Sequence, residues 1–351
     1  MPRAEEFRFA IFGRIVYTDH FIKELHRLGF PKPLVIVSPD EEYVRDRRLL
    51  SQFGLFGDLE ACAAEGLAKL YKMANVNTEN ALSLLKEYKC NIGFSINCRN
   101  IIKKPIIDFF KGNIFNIHDS YLPNERGGAL NTWRILNGIN IVGNTIHYLE
   151  EGIDTGPIVL RRKADMKKAN PLPVDYLLGE KENCEYLLSR FLDMLLENEN
   201  INAISQENDK SYYYPRLFTE INGAINWDWE VYSVERFIRA FSTPYPSAFT
   251  YYGDKRINIL DSFVDTTVSQ EFHPFCNGKI VTVLDNKNVR VIAGGRALIL
   301  TEIAVDGVTM SPGEYLSVKY SLRSDINDLT RARCHVPTTI EMGKAEMKER
   351  S

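Results

Sequence analysis

Three polar side chains in the middle of the sequence have the types and the spacing to act on one carbonyl group. Asn116 and His118 stand two residues apart where an apolar run ends, so on an extended segment they point to the same side. Asp154 lies in the stretch 152–156 (GIDTG), whose glycines indicate a tight turn with close backbone approach. An amide and an imidazolium stabilise a tetrahedral oxyanion, and an imidazole or a carboxylate accepts the proton of an attacking amine. The three residues therefore predict acyl transfer, although an Asn-x-His pair also serves structural roles.

The transfer is expected to be direct, without a covalent enzyme intermediate. A nucleophilic serine of an acyl transferase commonly sits in a GxSxG elbow between a strand and a helix, and the sequence contains no such motif. Ser120 is close to His118 in the sequence but lacks this glycine frame.

The segments around these residues predict an open α/β sheet. Residues 19–28 carry apolar side chains at helical spacing between two short apolar runs, which is the order of a βαβ unit with parallel strands. The apolar runs that predict strands are 7–12, 33–37, 91–96 and 112–117. Ligands of such sheets bind beyond the carboxyl ends of the strands, where Asn116 and His118 stand. A single glycine, Gly13, follows the first strand, so the dinucleotide-binding fingerprint is absent.

A change in residue pattern divides the chain after a long amphipathic helix at 175–196. The segment 197–211 is polar and predicts a linker, and short strands with hairpin-type turns follow it. The predicted fold class is α/β: a Rossmann-like, mostly parallel sheet with helices on both faces, followed by a smaller β-rich, OB-like C-terminal domain. We expect a catalytic domain at 1–204, a linker at 205–217, a second domain at 218–331 and a polar tail at 332–351.

The composition disfavours several classes of protein. The net charge of −3 gives no overall basic field for nucleic acid or anionic lipid. The six cysteines show neither CxxC nor zinc-finger spacing, so we expect reduced thiols, a cytoplasmic location and no bound metal. The N-terminus lacks the apolar core of a signal peptide, and no run of about 18 apolar residues is present. Arg45, Arg47 and Arg48 form a basic trio that is either a phosphate contact or a solvated face.

Residues 115–159 carry five short motifs in a fixed order. They are Asn116-x-His118, the turn 120–123 (SYLP), Arg126-Gly127, the strand 144–147 (NTIH) and the loop 152–156. The set resembles the core of the folate-dependent formyltransferases, which include methionyl-tRNA, glycinamide ribonucleotide and sugar-nucleotide N-formyltransferases. Asn144 replaces a common valine. The likeness continues at 206–217 and 225–259 and spans most of residues 7–320, most weakly over 39–75.

The resemblance implies N10-formyltetrahydrofolate as the formyl donor and a primary amine as the acceptor. By motif, Asn116, His118 and Asp154 are the expected catalytic residues. The pterin is expected to lie against the backbone of one strand end and of the loop at 150–154. The residues expected to bind this co-substrate are Phe94, Ser95, Ile96, Asn97, Leu122, Glu150 and Gly152.

The acceptor amine is expected to belong to a nucleotide-linked amino deoxy sugar. The second domain, at 218–331, has 11 Lys and Arg against 14 Asp and Glu, which is unfavourable for holding the phosphates of a tRNA. The motif variants are more similar to the sugar enzymes, whose acceptors are linked to dTDP, UDP or GDP. The residues expected to bind the acceptor are Ser120, Tyr121, Arg126, Gly127, Trp133, Tyr214 and Arg216, with aromatic rings on the base or sugar and arginines on the diphosphate.

Three other functions stay open at this point. Methionyl-tRNA formyltransferase is the first alternative, a hydrolase of formyl-folate shares the same three residues, and a folate- or nucleotide-binding protein without turnover is the third. The sequence does not name the sugar, the nucleotide, the amino position or the oligomeric state, and a homodimer paired through the second domain is one option.

Overall fold

The computed structural model describes residues 4–336. The chain divides into two compact units, each of which draws on several segments. The first unit comprises Met1–Leu130, Ile141–Met166 and Tyr176–Tyr214, and the second comprises Asn131–Asn140, Lys167–Asp175 and Pro215–Ser351. Within residues 4–336, no helix combines the length and the apolar character needed to cross a lipid bilayer.

The first unit is built on a seven-stranded sheet within the described residues. Its strand order is β3-β2-β1-β4-β5-β7-β8, and a separate two-stranded ribbon pairs β6 with β9. The strands are β1 (Phe9–Phe12), β2 (Leu34–Val37), β3 (Lys69–Lys72), β4 (Ile92–Ile96), β5 (Ile114–His118), β6 (Glu125–Gly127), β7 (Ile141–Tyr148), β8 (Ile158–Asp165) and β9 (Tyr212–Tyr214). The five strands from β3 to β5 pair in parallel, whereas β7 and β8 extend the sheet antiparallel. The mostly parallel sheet predicted from the sequence is therefore confirmed.

Helices connect and cover these strands. They are α1 (Val16–Arg27), α2 (Val44–Leu50), α3 (Leu59–Ala64), α4 (Glu79–Glu87), α5 (Lys104–Phe109) and α7 (Pro173–Leu196), whereas α6 (Leu130–Leu136) belongs almost entirely to the second unit. Asp58 and Thr78 cap α3 and α4, because each side chain accepts a hydrogen bond from a backbone N–H of the first turn.

Two apolar cores hold the helices against opposite faces of the sheet. Phe94 and Phe115 belong to the core that includes α1 and α7, and both rings pack against Phe191 of α7. Phe12 belongs to the other core, beside Phe110 at the end of α5. Consecutive residues of a strand face opposite sides of its sheet, so short runs of four or five apolar residues fill both cores at once.

The second unit is a mostly antiparallel half-barrel with helices. Its sheet has the order β12-β13-β14-β11-β10-β16, with β15 on β14. The strands are β10 (Phe249–Tyr252), β11 (Lys255–Val264), β12 (Ile280–Val283), β13 (Val289–Ala293), β14 (Arg296–Val305), β15 (Val308–Met310) and β16 (Leu322–Arg323), and the helices are α8 (Thr219–Asn222), α9 (Val231–Ala240) and α10 (Ile326–Cys334). Val234 and Phe237 are on the buried face of α9, which packs on β11 and β14. Hairpin turns join β12 to β13 and β13 to β14, which confirms the hairpin-type turns predicted for this part of the chain.

Some elements differ from the prediction. The edge strand β3 reads Lys-Leu-Tyr-Lys and was not predicted, because its outer residues are exposed and charged. The polar segment predicted as a linker is attached to the first unit: Ile204 bridges Ile158, and β9 pairs with β6. The predicted tail from residue 332 begins inside α10, and residues 337–351 lie outside the described part of the chain.

Candidate active site

Strand β5 delivers the first two candidate residues at its carboxyl end. Phe115 and Ile117 are directed into the core beneath α1 and α7, so the alternating residues Asn116 and His118 face the other way. Asn116 is half-buried and His118 is buried. The strand therefore places both side chains at the sheet edge where α/β proteins bind ligands.

Asp154 is held beside His118 by the loop that follows β7. Its Oδ1 lies 3.5 Å from His118 Nδ1, and its Oδ2 accepts a hydrogen bond from the Gly127 N–H at 3.0 Å. The residue has a φ of 55°, a left-handed conformation that a non-glycine residue seldom adopts. A Cβ at Gly156 would stand 1.8 Å from the Tyr148 carbonyl oxygen, so the loop closes onto β7 only with glycine there. The structure thus brings together all three catalytic candidates.

His147 is a member of the same cluster to which the sequence assigned no role. It lies directly opposite Asn116 across the β5–β7 pair, and its Nε2 is 3.1 Å from Asn116 Nδ2. Its Nδ1 is 2.7 Å from the Tyr148 carbonyl oxygen, which only accepts, so Nδ1 carries the proton and Nε2 accepts from the Asn116 amide. Burial lowers the pKa of His147 to about 4, and nearby Asp154 opposes this shift. A neutral His147 therefore fixes the orientation of the Asn116 amide group.

The acid sensitivity of folding follows from the buried His147. Its pKa falls from 6.5 to about 4 on folding, so the unfolded chain binds more protons between these values and the native state loses stability as pH falls through that window. The loss expected from this group is on the order of 3 kcal/mol and is complete below about pH 4. Urea titrations from pH 7 to pH 4 measure it, and His147→Asn should flatten the pH dependence. An equally steep dependence in the variant would show that other groups cause it.

A backbone carbonyl group and the Asp154 side chain together orient His118. Its Nε2 is 2.8 Å from the Glu125 carbonyl oxygen, so Nε2 donates and Nδ1 faces Asp154. The Ser120 hydroxyl donates to the same oxygen at 2.6 Å and is fully buried. Ser120, which was predicted to bind the acceptor, therefore braces the loop that carries Glu125.

A second set of residues clamps the Asp154 loop from the segment after α7. Gln206 Nε2 donates to the carbonyl oxygens of Asp154 and Gly156 at 2.9 and 2.7 Å. Gln206 Oε1 in turn accepts from Arg126 Nε and Nη2 at 3.2 and 2.8 Å, and Arg126 also donates to Asn208 Oδ1. Arg126 was predicted to meet a diphosphate, but it is buried and its donors are engaged in this clamp. The family likeness at 206–217 begins with Gln206, but no residue-level pattern predicted its contact with the Asp154 loop.

Removing the clamp should slow the reaction more than it weakens binding. We expect Gln206→Ala to lower kcat roughly 10- to 100-fold with little change in KM, because small displacements of a catalytic group are costly. Steady-state formyl transfer measures both constants. Glu207→Ala is the matched control, since the neighbouring Glu207 is exposed and pairs with Lys210 rather than with the loop, and it should stay within about threefold of the parent. Equal losses in the two variants would contradict a specific clamp on Asp154.

The residues predicted to bind the co-substrate divide into buried and exposed groups. Phe94, Ser95 and Ile96 are buried in β4, whose backbone pairs with β1 and β5. Leu122 is buried too, with its N–H donating to Thr145 and its carbonyl oxygen accepting from Arg161. These four residues are committed to the sheet and the core. The exposed members are Asn97, Glu150 and Gly152.

The remaining residues predicted to bind the acceptor belong to different units of the structure. Tyr121 is half-buried under Arg161, whose guanidinium lies 4.3 Å from the ring centroid. Gly127 approaches the Tyr214 carbonyl oxygen so closely that a Cβ would stand 2.1 Å from it. Trp133 and Arg216 both line one cavity of the second unit.

The basic trio on α2 lies among acidic and aromatic side chains. Arg47 lies 5.2 Å from the Phe56 ring centroid and 3.8 Å from Asp40, and Arg45 lies 3.8 Å from Asp46. Arg47 and Arg48 are exposed, whereas the side chain of Arg45 is largely buried, so only the first two lie on a solvated face.

An open α/β sheet that collects an amide, an imidazole and a carboxylate at its strand ends defines an enzyme with the groups for acyl transfer. Residues 8–171 match the family model described as formyl transferase, and residues 218–319 match the model described as formyl transferase, C-terminal domain. The two matches cover more than half of the chain, which therefore belongs to the formyltransferase family of one-carbon transfer enzymes.

Individual relatives carry different descriptions, of which three examples follow. A methionyl-tRNA formyltransferase of Prochlorococcus marinus is 26% identical over 351 residues, covering 90% of this chain and 98% of that protein. An N-formyltransferase of Helicobacter canadensis, solved with folinic acid and dTDP-3-aminofucose, has a TM-score of 0.61 at 21% identity and covers 84% of this chain and 98% of that chain. The sugar 3N-formyltransferase WlaRD, solved with dTDP and 5-N-formyl-tetrahydrofolate, has a TM-score of 0.58 at 20% identity, covering 84% and 97%. At these identities the structural likenesses show the fold.

Proposed function

We propose that the protein transfers the formyl group of N10-formyltetrahydrofolate to the primary amine of a nucleotide-linked amino deoxy sugar. The observation that carries this proposal is the convergence of Asn116, His118 and Asp154 in a formyltransferase fold. The structural relatives named above were solved with formylated folates and dTDP ligands, which supports both substrates. A cytoplasmic location, the absence of a nucleic-acid partner and a homodimer stay predictions.

The exposed loop after β7 fits a folate ligand. Residues 150–153 are exposed in this loop, so their backbone peptide groups can meet the polar edge of a pterin. Asn97 is exposed at the carboxyl end of β4, with its Nδ2 donating to the Arg14 carbonyl oxygen. These groups are the ones we expect to orient the donor.

The cluster has a group for each proton transfer and for the developing negative charge that formyl transfer requires. The acceptor amine attacks the formyl carbon, a C–N bond forms, and the bond to N10 of the donor breaks. Asn116 Nδ2 carries two hydrogens. It donates one of them in a hydrogen bond to His147 Nε2, so the second can donate to the oxyanion and stabilise it. Asp154 accepts the proton lost by the amine, and His118 Nδ1, 3.5 Å away, exchanges protons with it. The proton then goes to N10 of the departing tetrahydrofolate.

A screen of acceptors tests the proposed function. Purified protein with N10-formyltetrahydrofolate should release tetrahydrofolate when a dTDP-, UDP- or GDP-linked 3-amino or 4-amino deoxy sugar is added. Controls without an amine detect hydrolysis, which would instead produce formate. A complete panel without amine-dependent release would refute the sugar acceptor.

Methionyl-tRNA is the second candidate acceptor, because several relatives in sequence carry that name. Against it stands the second domain, where acidic residues outnumber basic ones over 218–331. Filter binding to initiator methionyl-tRNA at about 0.15 M salt separates the candidates, since tight binding with formylation would replace the sugar by the tRNA.

A further inference from the structure

The second unit contains a cavity of about 540 Å³ that no step of formyl transfer described above uses. All of its lining residues belong to that unit. The volume is typical of a site for one small organic molecule. Two of the three tryptophans of the chain, Trp133 and Trp229, line it, together with Phe237 and Phe241.

Fixed contacts hold the aromatic wall in place. Trp133 Nε1 donates to the Pro215 carbonyl oxygen at 2.9 Å, and the ring centroid of Trp229 lies 5.1 Å from that of Phe237 in an edge-to-face arrangement. Both tryptophans are only half-buried, so part of each indole is open to the cavity. Indole faces that are held in position and partly exposed favour stacking by a planar ring.

The cavity also offers positive charge without an internal partner. Arg216 and Arg333 line it, both are exposed, and neither makes a hydrogen bond or an ion pair within the described residues. The acidic Glu230 is engaged, because its Oε2 accepts from the Ser233 N–H at the start of α9. Two guanidinium groups beside an aromatic wall complement a planar ring that carries an anionic group, and guanidinium groups bind phosphate through paired hydrogen bonds.

One wall of the cavity comes from a part of the chain beyond the matched family ranges. Arg333 belongs to α10, which begins after residue 319, where the C-terminal family match ends. The amide of Asn222 holds the end of this helix, since its Nδ2 donates to the carbonyl oxygens of Ala332 and His335 at 2.9 and 3.1 Å. Hydrogen bonds within the second unit therefore fix this wall of the cavity.

We propose that this cavity binds a nucleoside phosphate, with the base against Trp133 and Trp229 and the phosphate at Arg216 and Arg333. The nucleotide has two potential sources: the nucleotide part of the acceptor, which rests on the proposed function, or a free nucleotide that acts on the enzyme from a separate site. Both present the same chemistry to the cavity.

Tryptophan fluorescence and calorimetry test the site without any turnover. Titration with dTDP, UDP, GDP and ADP should quench the emission of the full-length protein for at least one of them, because only Trp227 of the three tryptophans is buried away from the cavity, bonded to Thr250. Inorganic phosphate alone should not quench. For the nucleotide that binds, Arg216→Ala and Arg333→Ala should each raise Kd at least tenfold by calorimetry, and Trp229→Leu should weaken binding similarly. Arg296→Ala, which removes an exposed arginine paired with Glu271 on the same unit, should leave Kd unchanged.

The outcomes separate the site, its source and the proposed function. Absence of binding for all four nucleotides, or a Kd insensitive to the arginine and tryptophan variants, would overturn the proposal. If the source is the acceptor, Arg216→Ala raises the acceptor KM by the same factor as the nucleotide Kd; if it is a free nucleotide, this KM is unchanged and added nucleotide alters kcat in the parent only. Either KM result supports nucleotide binding in the cavity. Nucleotide binding by a protein that formylates no amino sugar would support the cavity while refuting the sugar acceptor.

Discussion

Replacing Asp154 by asparagine is expected to lower kcat for formyl transfer about a thousandfold, within the range of general acid–base contributions. Asparagine preserves the shape of the side chain and an oxygen for the Gly127 N–H, which now donates to Asp154 at 3.0 Å. It removes the carboxylate that faces His118 Nδ1 and accepts the proton of the amine. Release of tetrahydrofolate, followed with saturating acceptor, measures the effect.

The control for this substitution is Asp165→Asn, which changes an exposed carboxylate at the end of β8. It should leave kcat within about twofold, as surface substitutions commonly do. Thermal unfolding of both variants checks that the fold persists. A rate for Asp154→Asn near that of the parent protein would remove Asp154 from the catalytic cluster.

Replacing His118 by glutamine is expected to reduce kcat by a factor on the order of 10² to 10⁴. A glutamine amide can still donate to the Glu125 carbonyl oxygen, the partner of His118 Nε2 at 2.8 Å, so the loop retains its anchor. The amide does not titrate, so proton exchange with Asp154 is lost. The pH–rate profile is the second readout, because the variant should lose the pH dependence that the imidazole contributes to kcat.

His26→Gln provides the comparison, since His26 is exposed near the end of α1. Its pH–rate profile should coincide with that of the parent. An unchanged profile in His118→Gln, with a lowered rate, would assign His118 a purely structural role and leave proton transfer to Asp154 and water.

The fold was largely accessible from the sequence because hydrophobic patterning marks most of the elements that support the site. The run before His118, with Phe115 and Ile117 at alternate positions, predicted a buried strand, and β5 is that strand. The family-like motifs then located Asp154, which no periodicity would have paired with His118, 36 positions earlier in the chain. The order of the motifs indicated the contact between His118 and Asp154, which no local hydrophobic pattern predicts.

The parts that the sequence missed depend on pairings between distant segments. His147 acquires its role only because β7 runs antiparallel beside β5 and sets it opposite Asn116. Gln206 looks like any polar linker residue until the chain returns to the loop at 154–156. Arg126 was expected to be available to a diphosphate. Its burial and its hydrogen bonds to Gln206 and Asn208 result from tertiary packing, which the residue type alone does not predict.

The attachment of the segment 204–214 to the first unit limits how a catalytic fragment can be cut. The two matched family ranges leave residues 172–217 unassigned, and a fragment designed from those ranges would discard them as connecting chain. Such a fragment would lack Gln206 and also β9, the partner strand of the β6 segment that donates to Asp154. The shortest active piece therefore has to include this stretch. A swap of second domains between relatives also has to account for Asn131–Asn140 and Lys167–Asp175, which belong to the second unit although they precede Tyr214.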